Sequence, residues 1–169
     1  MLRLYVMRHA KSSWAAPGAR DFDRELNERG ILDLVKISQA LQARKYCPEL
    51  VLCSAATRTR LTLEGITDAF SSQPAIIHTE KLYSSGLEDY MRLVNETENV
   101  SSMMIVGHNP MCGSLAVHLA GHGDPDTLDK IAYKYPTGAI SVLDFDVADW
   151  SKIAPQSGTL SDLIIPSEL

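Results

Sequence analysis

No stretch of this chain comes near the ~20 consecutive apolar residues that a membrane-spanning helix needs. Its apolar runs are short, as at Ile31-Leu32 and Ala139-Ile140. The opening Met1-Leu-Arg-Leu-Tyr-Val-Met-Arg8 is interrupted by charge too soon for a signal-peptide core. Cysteine is scarce. Cys47, Cys53 and Cys112 are odd in number and lack Cys-x-x-Cys spacing, so neither a disulfide framework nor a zinc site is signalled. That usage suits a reducing cytoplasm, which is the expected location. An excess of positive charge is also missing: 16 Lys and Arg stand against 21 Asp and Glu, for a net charge of -5. Such a balance carries no overall basic footprint for nucleic acid, so any anion must be met by a local pocket. Internal repeats, low-complexity tracts and long linkers are lacking too. What remains is 169 residues, 45% hydrophobic and 22% charged, with a mean hydropathy of -0.07. These values describe one soluble domain spanning residues 1–169, long enough to bury a core.

Within it, short apolar runs alternate with helical periodicity. Leu2 to Met7 predicts a first strand, and Lys11 to Arg24, with Pro17 and Gly18, a long loop. Asn27 offers an N-cap for a helix over about 28–44, whose stripe Ile31, Leu34, Val35, Ser38 and Leu41 is expected to be buried. Leu50 to Cys53 predicts the second strand and Ala75 to His78 the third, with Leu63, Ile66 and Phe70 on a helix between them. Leu87, Tyr90, Met91 and Val94 form another helical face. Met103 to Val106 predicts the fourth strand, after which Asn109 can cap and Pro110 open a helix bearing Met111, Leu115 and Leu119. Past Gly121 the pattern loosens, leaving strands at Ile140 to Phe145 and Thr159 to Ile165. Alternation of this kind predicts an α/β fold with a mostly parallel central sheet and an antiparallel edge.

In such sheets, ligands sit beyond the carboxyl ends of the strands. The first strand ends in Arg8-His9, the second in Ser54 with Arg58 a turn later, and the fourth in Gly107-His108-Asn109. If these strands are neighbours, two arginines and two histidines converge into an anion pocket inside an acidic protein. Gly107 to Ser114 lacks the Gly-Lys-Ser/Thr ending of a nucleotide phosphate loop. His118 and His122 have metal-ligand spacing, but Gly121 and Gly123 end the helix there and no third ligand is evident, so no metal or other cofactor is expected. His78 reads as a strand-end residue, and Arg60 as solvent-facing.

This constellation resembles the histidine phosphatase superfamily, the phosphoglycerate mutase-like proteins. Arg8-His9-Ala10 matches its Arg-His-Gly signature with Ala in the third place, Ser54-Ala-Ala-Thr-Arg58-Thr-Arg-Leu-Thr62 its second-arginine motif, and Gly107-His108-Asn109-Pro110 its second histidine. Arg8 to Trp14, Asp21 to Gly30, Leu82-Tyr83 and Tyr135-Pro-Thr-Gly138 are similar to the small SixA-type phosphohistidine phosphatases. The resemblance implies a three-layer α/β/α sandwich and a metal-independent phosphatase with His9 as nucleophile, passing through a phosphohistidine enzyme. It implies that Arg8 and Arg58 grip the phosphoryl oxygens and that a protonated His108 donates to them. Lys11 and Ser12 are candidates for steering the phosphate, and Asp21, Asp23 and Glu80 for a general acid. The expected substrate is phosphohistidine in a protein of a signal-transduction relay, whose imidazole leaving group relaxes the need for an acid. A small phosphorylated metabolite is the alternative, and a non-catalytic phosphate-binding module the third reading. Neither nucleic acid nor membrane is an expected partner.

Overall fold

The computed structural model describes residues 1–14 and 17–169. Its elements run β1 (Leu2–Arg8), α1 (Glu28–Ala43), β2 (Leu50–Ser54), α2 (Thr57–Glu64), β3 (Ala75–Thr79), α3 (Leu87–Asn95), β4 (Ser102–Gly107), α4 (Met111–Leu119), β5 (Ala120–Gly123), α5 (Pro125–Tyr133), β6 (Ile140–Phe145) and β7 (Gly158–Ile164). Seven strands form one sheet in the order β3-β2-β4-β1-β6-β7-β5. The β1, β2, β3 and β4 ladders are parallel, as is β5 with β7. The antiparallel part is β6, which runs against both β1 and β7 and lies two strands in from the β5 edge.

Both faces of the sheet are covered, because side chains alternate along each central strand. Leu4 and Val6 of β1, with Met103 and Ile105 of β4, pack against Tyr90, Val94, Leu115 and Ile131 of α3, α4 and α5. Tyr5, Met7, Met104 and Val106 point the other way, onto Leu34, Ile37 and Leu41 of α1 and Leu63 of α2. These are the three layers. A buried side chain such as Ile105, with no exposed surface, is worth about 2–5 kcal/mol against truncation to Ala.

Asn27 caps α1 as expected, its side chain accepting from the Gly30 amide at 2.8 Å. The buried face of that helix differs from the predicted stripe. Ile31 and Val35 are more than half exposed, while Gly30, Asp33, Leu34, Ile37, Ala40 and Leu41 face inward. Gly30 fits this rotation: a Cβ there would collide with the Lys11 carbonyl oxygen, so the helix is docked with its glycine against the loop after β1. Helix α2 ends at Glu64, and Ile66 and Phe70 reach the same core from the turns that follow it. The loose region after Gly121 holds the short β5 and α5, the latter capped by Asp124 with Pro125 in its first turn. No helix among the described residues is long and apolar enough to cross a membrane.

Candidate active site

Strand register brings the site together. In the parallel β1–β4 pair Arg8 lies opposite Gly107, and in β2–β4 Cys53 lies opposite Val106. The residues that follow, His9, His108 and Ser54, therefore leave the sheet side by side at its carboxyl end. The His9 amide donates to the Gly107 carbonyl at 3.0 Å, and the two imidazole centroids are 5.3 Å apart. Gly107 makes room for Tyr90 beside the site, since a Cβ there would meet the Tyr90 hydroxyl oxygen at 2.6 Å. That hydroxyl donates to the Leu82 carbonyl and accepts from the His108 amide at 3.3 Å. Gly138, at φ +78°, closes the other side by donating its amide to the Arg8 and His9 carbonyls.

His9 is buried, and its Nδ1 lies 2.7 Å from the Ala10 carbonyl oxygen. A carbonyl only accepts, so Nδ1 carries the hydrogen and Nε2 keeps its lone pair. Burial, reinforced by Arg58, Arg8 and Arg24, pushes the His9 pKa down to about 4, which leaves the ring neutral at pH 7. Thr62, fully buried on α2, ties this geometry to the helix. Its Oγ1 accepts from the Ala10 amide at 3.0 Å and donates to the Arg58 carbonyl at 2.7 Å.

Arg8 and Arg58 flank the histidines. Arg8 Nη1 donates to the Tyr135 carbonyl at 2.9 Å, an acceptor it shares with the Asn109 side chain. Asn109 also accepts from the Gly113 amide at 3.2 Å, but the N-cap of α4 is Pro110, without a side-chain cap bond. The helix therefore starts one residue later than the expected cap at Asn109 with Pro110 in first place. Among the described residues, Arg8 Nε, Arg58 Nε and His108 Nδ1 are the buried side-chain nitrogens without a hydrogen-bond partner. Unpaired buried groups are costly, and here all three belong to the one cationic cluster, the setting for an anion.

The long loop supplies a counter-ion. In the 3-10 turn Asp21–Asp23, the Asp21 carboxylate accepts from Arg58 Nη2 at 3.1 Å, Arg24 Nη1 at 3.0 Å and the Tyr83 hydroxyl at 2.8 Å. Burial alone would raise its pKa. The hydrogen bonds from Tyr83 and Arg24 and the charge of Arg58 outweigh that and hold it at about 2. Asp21, one of three general-acid candidates, is thus an ionised acceptor at neutral pH in this arrangement. Asp23 forms an exposed pair with Arg20 at 2.8 Å. Glu80 is exposed at the turn after β3, where its carbonyl accepts from the Tyr83 amide. Neither bonds to the histidines or to the two arginines.

Other expectations shift as well. Lys11 is exposed and lines a separate cavity of about 280 Å³ with Arg29, Asp33 and Lys134. Its carbonyl accepts from the Asn27 amide at 3.0 Å. Ser12 is buried and accepts from Arg24 Nη2 at 2.7 Å, acting on the loop. His108 is not cationic in this setting: burial, then His9 and Arg58, push its pKa down to about 3. His118 lies on α4 and His122 on β5, and no group of three or more His, Cys, Asp or Glu among the described residues is arranged to hold a metal ion. Arg60 is exposed, bonded to Thr57, and His78 is exposed on β3.

Sequence reasoning quoted Arg24, Tyr83 and Thr62 within family-like motifs but gave none of them a role at the site. Arg24 Nε donates to the Ser13 carbonyl at 2.9 Å and its guanidinium lies 4.6 Å from the Trp14 ring. Tyr83 sets its edge against the His108 ring at 5.5 Å and packs on Phe22 at 4.9 Å. Thr62, one helical turn after Arg58, was detectable from spacing alone; the other two reach the site through loops.

The family model of the histidine phosphatase superfamily (branch 1) matches residues 4–91. An uncharacterized protein of Mycobacterium tuberculosis is 35% identical over 165 residues, 95% of this chain and 99% of that one. A solved structure assigned as the phosphohistidine phosphatase SixA of Agrobacterium tumefaciens is 34% identical, covers 98% of each chain and superposes with a TM-score of 0.81. Another assigned in the same way, from Nakamurella multipartitia, is 25% identical with a TM-score of 0.83, over 98% of this chain and 96% of that one.

Proposed function

This chain belongs to the histidine phosphatase superfamily, in its SixA-type group, and on that premise we propose that it hydrolyses phosphohistidine in proteins with His9 as the nucleophile. The neutral ring, with Nδ1 bound to the Ala10 carbonyl, presents Nε2 for in-line attack on phosphorus. The bond from phosphorus to the substrate imidazole breaks as the bond to Nε2 forms, and the substrate ring, already protonated on its other nitrogen, leaves as neutral imidazole. Water then attacks the phosphoryl group on His9, releasing inorganic phosphate and restoring the lone pair. Arg8, Arg58 and His108 hold the equatorial oxygens through both steps, supplying fixed donors where charge is spread in the transition state.

The observation that carries the choice of substrate is the state of Asp21. It is the carboxylate that touches the cationic cluster, and it is paired to Arg58 and Arg24 and held ionised. Without a proton donor, an alkoxide leaving group is penalised, whereas an imidazole leaves readily. A protein-borne phosphohistidine also needs an open mouth. Among the described residues, α3 and a 3-10 turn, Glu80–Leu82, are the helical structure between β3 and β4.

The test is kcat/KM on a phosphohistidine-bearing protein against a panel of phosphate monoesters, sugar phosphates and phosphoserine included. The phosphohistidine protein is expected to turn over faster than every alkyl monoester by ~10² or more. A sugar phosphate or another alkyl ester turned over as well or better would transfer the assignment to metabolite hydrolysis.

A further inference from the structure

The Ser54 side chain is fully buried at the end of β2, and its Oγ lies 2.8 Å from His108 Nε2. Its hydrogen-bond balance is closed. The Ala56 amide donates to Oγ at 3.3 Å, so one acceptor position is taken by backbone. The only acceptor within reach of the Ser54 hydroxyl hydrogen, among the described residues, is the His108 ring. Thr59 and the Cys53 thiol donate to the Ser54 carbonyl, not to its hydroxyl.

Two arrangements are possible for this pair. If His108 Nε2 carried a hydrogen, Ser54 Oγ would accept from both the ring and Ala56, and its own hydrogen would be buried without a partner. If the Ser54 hydroxyl donates to Nε2, every group on the serine is satisfied and the ring hydrogen goes to Nδ1. The first arrangement leaves both the serine hydrogen and His108 Nδ1 without partners, and the second leaves only Nδ1–H. Each unpaired buried group costs about 1–3 kcal/mol, which selects the second. His108 Nδ1 is then a buried donor without a partner, next to the equally unpaired Nε of Arg8 and of Arg58.

We propose that Ser54 is a positioning residue that fixes His108 as the neutral Nδ1–H tautomer, so that His108 gives the phosphoryl group a hydrogen bond and neither a second charge nor a proton. This rests on the phosphatase reading of the site and deepens it. The surroundings favour the same state: burial, then His9 and Arg58, oppose protonation of the ring, while Asp21 favours it by more than Arg8 opposes it. Tyr83 and Tyr90 hold the ring and its amide in place from α3 and the turn before it. The consequence concerns specificity. A cationic His108 is able to protonate a leaving group; a neutral Nδ1–H imidazole whose other nitrogen is occupied by a hydroxyl is a poor acid, which confines turnover to substrates with good leaving groups.

The experiment is two-bond 1H–15N NMR on histidine-labelled protein at pH 7, free and with vanadate as the phosphoryl probe. The free protein is expected to show His108 with a protonated Nδ1 and an unprotonated Nε2, and the same pattern is expected with vanadate bound. In Ser54→Ala the His108 signals are expected to move towards the Nε2–H form. Its kcat is expected to fall about tenfold to a hundredfold, less than the ~10²–10³ that outright loss of such a donor costs. KM should change little, and Ser54→Thr, which keeps the hydroxyl, should recover most of the rate. A wild-type His108 protonated on Nε2, or on both nitrogens, overturns the proposal, as does Ser54→Ala with wild-type tautomer and rate. The wild-type spectrum decides the matter even if Ser54→Ala fails to fold. It also separates this proposal from the phosphatase reading, because the tautomer is read in free protein without any turnover.

Discussion

Asp21 holds Arg58 twice: its backbone carbonyl accepts from Nη1 at 2.8 Å and its carboxylate from Nη2 at 3.1 Å. A loop residue 37 positions before the arginine thus fixes the fork of the arginine on α2, while the same carboxylate ties down Arg24 and Tyr83. Charge and orientation in the cluster depend on this one contact.

Asp21→Asn keeps the shape and removes the charge. We expect kcat/KM to fall by about tenfold through loss of Arg58 alignment, with the dependence on leaving-group basicity staying as steep as in wild type. Rates across phosphoramidate, aryl and alkyl phosphates provide the check. A shallow dependence in wild type that turns steep in the variant means that Asp21 donates a proton, an effect commonly worth ~10²–10⁴.

Arg58→Ala is expected to lower kcat/KM by roughly 10²–10³, the scale seen when a fixed transition-state donor is removed. Arg58→Lys restores the charge without the planar fork that meets both Asp21 and a phosphoryl group, so it should recover only part of the loss. A lysine variant with full activity places Arg58 outside the phosphoryl contacts.

The histidines make stability pH-dependent with a definite sign. Burial depresses His9 to about 4 and His108 to about 3 in the folded state, against 6.5 when unfolded. Between those values the unfolded chain binds more protons, so their contribution is complete above pH 6.5 and is lost as the pH falls through 4 and 3. A contribution of about 2 kcal/mol moves Tm by roughly 4–8 °C at this chain length. Melting curves at pH 7 and pH 4.5 should show a larger drop for wild type than for a His9→Asn/His108→Asn double variant. Equal drops in the two proteins contradict this assignment.

Arg8 and Arg58 supply the positive charge at the site, so turnover is expected to survive exhaustive treatment with EDTA. Activity lost on chelation and regained with zinc or magnesium would return His118 and His122 to consideration.

Much of this was legible from the chain, for reasons that differ between residues. Arg8, His9, Arg58 and His108 were found because each sits at a strand end or one turn into the following helix, and parallel register turns that local fact into proximity. The cap at Asn27 was legible because capping depends on a few adjacent residues. The buried face of α1 was misread at Ile31 and Val35, because the rotation of that helix fits a distant contact, Gly30 on Lys11. Strand β5, Ala120-Gly-His-Gly123, has neither β-branched residues nor alternation, so only its pairing with β7 defines it. Asp124-Pro125 was a usable start signal for α5 that went unread. The protonation of Asp21 and His108 was beyond sequence patterns altogether, since it follows from partners brought in by the loop and by three strands.

The central claim is attack by His9 Nε2, and the most direct measurement is capture of the phosphoenzyme. Wild-type protein mixed with phosphoramidate, quenched rapidly in base and analysed by intact mass and 31P–1H correlation, is predicted to carry one phosphoryl group on Nε2 of His9. His9→Ala is predicted to show neither the adduct nor turnover. A phosphoryl group on Nδ1, an adduct on another residue, or substantial turnover by His9→Ala would contradict the mechanism.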